Sequence, residues 1–161
     1  MKYIKYFFQF ISIKLFFFIF RLIGYKNASN LGGLIVSKIG PIFKSKKIIK
    51  NNLKNYSPEI DDQSINNIIN RMWKNYGRIF AEYMFIKDFR SMKLEKNLKI
   101  NGMEYLNEIK KNKKPVIFVS GHFNNFELMA MQIEKSGINL AAVYRPLNNI
   151  FLNKTMEKIR K

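Results

Sequence analysis

The first 25 residues are packed with Phe, Ile, Tyr and Leu, yet they carry cations at Lys2, Lys5, Lys14 and Arg21. As a helix this stretch reaches the length a bilayer span requires, about 20 largely apolar residues. Its charges do not gather on one side. On a helical wheel Lys2, Lys5, Gln9 and Ser12 share a face, while Lys14 and Arg21 fall nearly opposite, so no single polar stripe exists. A lysine at the centre of a span costs about 2.5–3.5 kcal/mol on the insertion scale, and the uncharged runs 6–13 and 15–20 are each too short to cross without snorkelling. Three environments suit such a helix: an interfacial anchor, a tilted single span, or the core of the protein. A cleaved leader is disfavoured, because Lys14 breaks the apolar region and no small-x-small site follows. Basic residues flank both ends, so charge bias gives it no orientation.

Beyond this segment the pattern predicts a helix over 31–39 halted at Gly40-Pro41, then a second over 42–55. Lys44, Lys46, Lys47, Lys50 and Lys54 make the second helix basic, as a solvated face or a headgroup contact. Ser57-Pro58 and Asp61-Asp62 mark a turn and a helix start. From there Ile65, Ile68, Ile69, Met72, Trp73, Tyr76, Ile79, Phe80 and Tyr83 recur at helical spacing as a core stripe. A short strand over 98–100 and a helix over 102–111 follow. Residues 115–120 form an apolar, β-rich run that reads as a buried strand, and 140–144 reads as the next one. Between them Phe126, Met129, Ala130 and Ile133 mark a helix over 125–136, with Gly137 as its stop. The expected class is α/β: a helical N-terminal region, then a strand-helix-strand unit.

His122, the chain's only histidine, falls in the turn between the 115–120 run and that helix, five residues before Glu127. Within one helix the two would point about 140° apart. With His122 in the turn and Glu127 in the first helical turn, the carboxylate can fold back onto one imidazole nitrogen and leave the other to take a proton. A carboxylate-buttressed imidazole is the base half of an acyl-transfer site. The bland alternative is a histidine that caps the helix start. Ser120 lacks a nucleophile-elbow setting, and without cysteine thiol catalysis and thiolate ligation are excluded. Metal is not expected, since zinc sites need three or four ligands and no second histidine exists. The hydroxyl activated by His122 would then belong to a substrate.

The net charge of +18, from 29 Lys and Arg against 11 Asp and Glu, draws anionic partners. Lipid headgroups, a phosphorylated lipid, an acidic carrier protein and nucleic acid all qualify by charge. Nucleic acid is not expected, because no recognition helix, RNA-binding signature or zinc finger is present.

The segment from His122 through Glu127 resembles the His-x4-Glu signature of the lipid A biosynthesis acyltransferases, the lauroyl and myristoyl transferases of Gram-negative bacteria. Asn124 and Phe126 stand where that family usually has Gly and Trp. Val143-Tyr144-Arg145-Pro146-Leu147-Asn148-Asn149 resembles its Tyr-Arg-Pro segment. Leu31-Gly32-Gly33, Gly40-Pro41, Asn51-Asn52-Leu53 and the stretches 71–78 and 80–83 fall in the family's order, so the resemblance covers nearly the whole chain. It implies a catalytic core of glycerolipid-acyltransferase type, with residues 1–25 as membrane anchor or interfacial helix and 26–161 as the N-terminal part of the acyltransferase domain. The family's chains run longer, and the helix over 152–160 has no stop signal, so the chain reads as truncated. The resemblance implies transfer of a fatty acyl group from acyl carrier protein, as co-substrate with no further cofactor, to a hydroxyl of a lipid A precursor. His122 is then the base and Glu127 its orienting carboxylate, with Tyr144, Arg145 and Asn125 as substrate contacts. The implied location is the bacterial inner membrane, with the catalytic domain on its cytoplasmic face. A catalytically inactive membrane-surface protein and, more remotely, a basic nucleic-acid binder are the alternatives.

Overall fold

Ser45 and Asp61 each start a helix with a side-chain cap. The computed structural model describes residues 1–43, 45–121 and 123–160. Helix α1 runs over Lys2–Ile23, α2 over Tyr25–Phe43, α3 over Lys46–Tyr56 and α4 over Asp62–Glu82. The Ser45 side chain accepts from the Lys47 amide at 3.2 Å, and Asp61 accepts from the Ser64 amide at 2.8 Å, each satisfying an amide the helix itself leaves over. Then come α5 (Ile86–Arg90), α6 (Met103–Asn112), α7 (Phe126–Lys135) and α8 (Ile150–Arg160).

The chain divides into two compact units, Ile19–Tyr83 and the pair of segments Met1–Phe18 and Met84–Lys161. In the Ile19–Tyr83 unit α2 lies against α4 so closely that a Cβ on Gly32 would come within 2.5 Å of the Gly77 carbonyl oxygen, and one on Gly77 within 2.1 Å of Gly32's. Glycine at both positions is what lets the two backbones meet. Ser29 Oγ donates to Glu82 Oε1 at 2.7 Å across the same pair. Ile49 of α3 buries against Ile65 and Ile69 of α4, with Leu53, Met72 and Trp73 packed around them. The predicted α4 stripe is therefore real at Ile65, Ile69 and Tyr83, whereas Ile68 and Tyr76 stay exposed.

The predicted stop at Gly40-Pro41 is overturned: α2 continues through both to Phe43. Gly40 is needed for another reason, because a Cβ there would sit 2.3 Å from the Trp73 ring. Proline in the last turn removes one amide bond without ending the helix.

The α/β expectation is overturned as well. Among the described residues there is no β-strand, and the three expected ones, over 98–100, 115–120 and 140–144, are irregular. The strand-helix-strand core of glycerolipid-acyltransferase type is accordingly not formed. A strand is completed by the amides and carbonyls of a neighbour, and among the described residues none of these runs pairs with another. Ile117 at 89 %, Val119 at 92 % and Val143 fully exposed show the same thing from the side chains. An apolar run records a preference for sheet-like burial and cannot by itself supply the second backbone.

The other unit holds α5 to α8 and the first part of α1. Within it α5 packs on α7 and α8. Gly137, at φ +81°, ends α7 with its amide on the Glu134 carbonyl at 2.9 Å, as the sequence predicts. Asn149, 6 % exposed, starts α8: its Oδ1 accepts from the amides of Phe151 (3.1 Å) and Leu152 (3.3 Å). Its Nδ2 donates to the Tyr6 carbonyl at 2.9 Å and to Gln9 Oε1 at 3.3 Å, which ties α1 to α8. The Phe151 ring adds an edge contact with Phe7 and a tilted one with Phe10.

Candidate active site

Chain direction reverses into α7 through Asn124, whose φ of +50° is left-handed. Asparagine tolerates that region better than any residue except glycine. Glycine, which the resembled motif usually has at this position, would tolerate the same conformation. The Phe126 amide donates back to the Asn124 carbonyl at 3.1 Å, closing the turn. Asn125 is the residue preceding α7 and makes no side-chain cap bond. His122 lies outside the described residues.

Glu127 occupies the first turn of α7, where the positive end of the helix dipole favours a carboxylate. Its side chain is only 11 % exposed. Arg160, at the far end of α8, donates to Glu127 Oε1 from Nε at 2.9 Å and from Nη2 at 2.5 Å. The guanidinium carbon also lies 5.3 Å from the centre of the Tyr144 ring, within cation–π range. Tyr144 in turn donates its hydroxyl to Glu157 Oε1 at 2.8 Å, and Asn153 Nδ2 donates to the same oxygen at 2.8 Å. The carboxylate at the end of that bond raises the Tyr144 phenol above its ordinary value, with burial adding to the effect. Arg90 of α5 completes the group: its Nη1 pairs with Glu134 at 2.9 Å and its Nη2 donates to the Arg160 carbonyl at 2.9 Å.

All of these side chains except Glu157 border a cavity of about 660 Å³. Glu127, Tyr144 and Arg145 all reach its wall, together with Met129, Met131 and Met156. Flexible thioether side chains suit an unbranched apolar guest, and a volume in this range suits a small-molecule site. Three of the residues singled out in the sequence thus share one cavity. Asn125 is half-buried beside it and is not among the wall residues. Among the described residues no three His, Cys, Asp or Glu side chains gather as a metal site would require.

Sequence reasoning gave no role to Arg160, Glu157 and Arg90, and met Asn149 only as the end of the Tyr-Arg-Pro segment. Glu157 and Arg160 stand three apart on α8, a spacing that puts both on one face. Nothing local says which carboxylate, 33 residues away, the arginine grips.

The profile of the family described as bacterial lipid A biosynthesis acyltransferase matches residues 1–161, the whole chain. Neither the curated proteins nor the solved structures contain a match to it.

Proposed function

Because the chain belongs to the bacterial lipid A biosynthesis acyltransferases, a family whose general work is acyl transfer, we propose that it moves a fatty acyl group from acyl carrier protein to a hydroxyl of a lipid A precursor, with His122 as general base. The observation that carries this reading is the joint placement of Glu127, Tyr144 and Arg145 on one methionine-lined cavity. His122 takes the proton of the acceptor hydroxyl, whose oxygen then attacks the thioester carbonyl. The tetrahedral intermediate expels the thiolate by breaking the carbon–sulfur bond, and the imidazolium returns the proton to sulfur. Glu127 orients the imidazole and stabilises its charged form. The amide end of α7 offers positive potential where the oxyanion develops.

Arg145, exposed at the cavity wall, is placed to grip a phosphate of the glycolipid or of the carrier's prosthetic arm. Asn125 and Tyr144 serve as further substrate contacts. An acidic carrier protein suits the net charge of +18. The acyl carrier thioester is the co-substrate in this scheme, and no step calls for a metal.

Residues 1–25 are read as the membrane-associated segment and 26–161 as acyltransferase domain. Helix α1 is long and apolar enough to cross a membrane. Its geometry explains the scattered charges. Phe17 is buried and Tyr6, Phe10 and Ile13 partly so, all on one side, while Ile4, Phe8, Ile11, Leu15 and Phe18 form an opposite stripe open to the outside. Lys5 and Lys14 fall between the two faces, where their ammonium groups can reach headgroups along the edges of a lipid-facing stripe. On this reading the enzyme works at the inner membrane, with its catalytic domain on the cytoplasmic face.

The test is steady-state transfer by the full-length protein beside Glu127→Gln and His122→Ala, with vesicle flotation alongside. Transfer is expected to fall by about 10²- to 10⁴-fold without the base, while flotation persists. An inactive membrane-surface protein would float and transfer nothing.

A further inference from the structure

We propose that Arg160 is a positioning residue for Glu127, and so sets the efficiency of the His122 base without touching substrate; the proposal rests on the acyl-transfer reading above. Three restraints fix its guanidinium before any substrate arrives. Arg90 holds the Arg160 carbonyl at 2.9 Å, which pins the last turn of α8 to α5. The Tyr144 ring lies beneath the guanidinium at 5.3 Å, and Tyr144 is itself held by Glu157. Both arginine donors then converge on one oxygen, Glu127 Oε1. A fork that spends two donors on a single oxygen fixes the plane of the carboxylate and selects one of its oxygens for the arginine. Exposed ion pairs contribute little, but Glu127 is only 11 % exposed, so its rotamer depends on what it bonds.

Arg160 could instead act merely as a positive charge beside Glu127. The two roles move the base in opposite directions. A cation removed from the neighbourhood raises an imidazole's titration midpoint. A carboxylate set loose from its imidazole lowers it, toward the value seen when the carboxylate is neutralised. His122 is the only histidine, so its ring signals in a nuclear magnetic resonance titration need no assignment.

The experiment uses full-length protein in detergent, unaltered and as Glu127→Gln, Arg160→Met and Arg160→Lys, with kinetics on acyl carrier protein and His122 titration for each. Arg160→Met is expected to lower kcat about 10- to 100-fold, in line with losses of supporting-shell partners, with KM unchanged and the His122 midpoint moved down toward that of Glu127→Gln. Arg160→Lys, which keeps one donor for Oε1, is expected to recover most of the rate, and it covers the case in which the methionine variant fails to fold. An unchanged kcat in Arg160→Met, or a raised midpoint, overturns the positioning role while Glu127→Gln still abolishes transfer. No transfer by unaltered protein removes the acyl-transfer reading and this proposal with it.

Discussion

Replacing Asn149 tests how the first part of α1 is joined to α8. Its Oδ1 caps α8 through the amides of Phe151 and Leu152, and its Nδ2 bonds Tyr6 and Gln9 of α1. Loss of an N-cap costs about 1 kcal/mol, and each net hydrogen bond lost at a buried site about 0.5–1.5 kcal/mol. Asn149→Ala should therefore cost about 2–4 kcal/mol. For a chain of this length that is a fall of about 4–16 °C in Tm. Asn149→Asp separates the two jobs. It keeps a capping oxygen, favoured further by the helix dipole, but turns an acceptor toward the Tyr6 carbonyl, which has nothing to donate. Hydrogen exchange in detergent should show α1 and α8 both loosened in Asn149→Ala, and only the stretch up to Phe18 of α1 loosened in Asn149→Asp. Unchanged exchange in Asn149→Ala, or α1 protected as before in Asn149→Asp, would refute the tie.

Gly77→Ala gains about 1 kcal/mol of helix propensity, yet its Cβ would meet the Gly32 carbonyl at 2.1 Å, a backbone atom that cannot turn aside. A net loss of about 1–3 kcal/mol in urea unfolding is expected, whereas a more stable Gly77→Ala protein would show that α2 and α4 do not meet there. The Ser64 hydroxyl bonded to Asp61, and Lys50 bonded to Asp62, hold both carboxyls below their ordinary values. Their contribution to stability is complete above the unfolded carboxylate range near pH 4 and is lost as pH falls through the lowered folded values. Asp61→Asn, which keeps a capping oxygen, should flatten part of that acid limb in a pH series of melting curves, and an identical acid limb would contradict the assignment. Arg145→Ala should raise KM with little change in kcat, since an exposed cation at the cavity rim binds in ground and transition state alike; the opposite split would move Arg145 into the chemistry.

What the sequence discloses and what it withholds divide along a physical line. Helix ends were legible because their causes are local: Asp61 bonds an amide three residues on, and Gly137 takes a left-handed φ that other residues resist. The scattered charges of α1 were legible as a conflict, and the structure turns that conflict into two apolar faces with lysines between them. The runs at 115–120 and 140–144 misled because strand formation depends on a partner backbone that no local pattern encodes. Gly40-Pro41 looked like a stop, but its glycine answers to Trp73, 33 positions along the chain. At the site, Glu127, Tyr144 and Arg145 stood out as chemical types in motifs, while Arg160 did not, because its meaning lies in a contact between two helices.

The central claim, that this chain belongs to an acyl-transferring enzyme whose base is His122, is tested most directly by the mass of the acceptor. A tetra-acylated lipid A precursor incubated with acyl-loaded carrier protein and the full-length protein should gain the mass of one acyl group less water, and His122→Ala should leave the precursor unchanged. A precursor that gains no mass with the unaltered protein, or gains it equally without His122, would contradict the account.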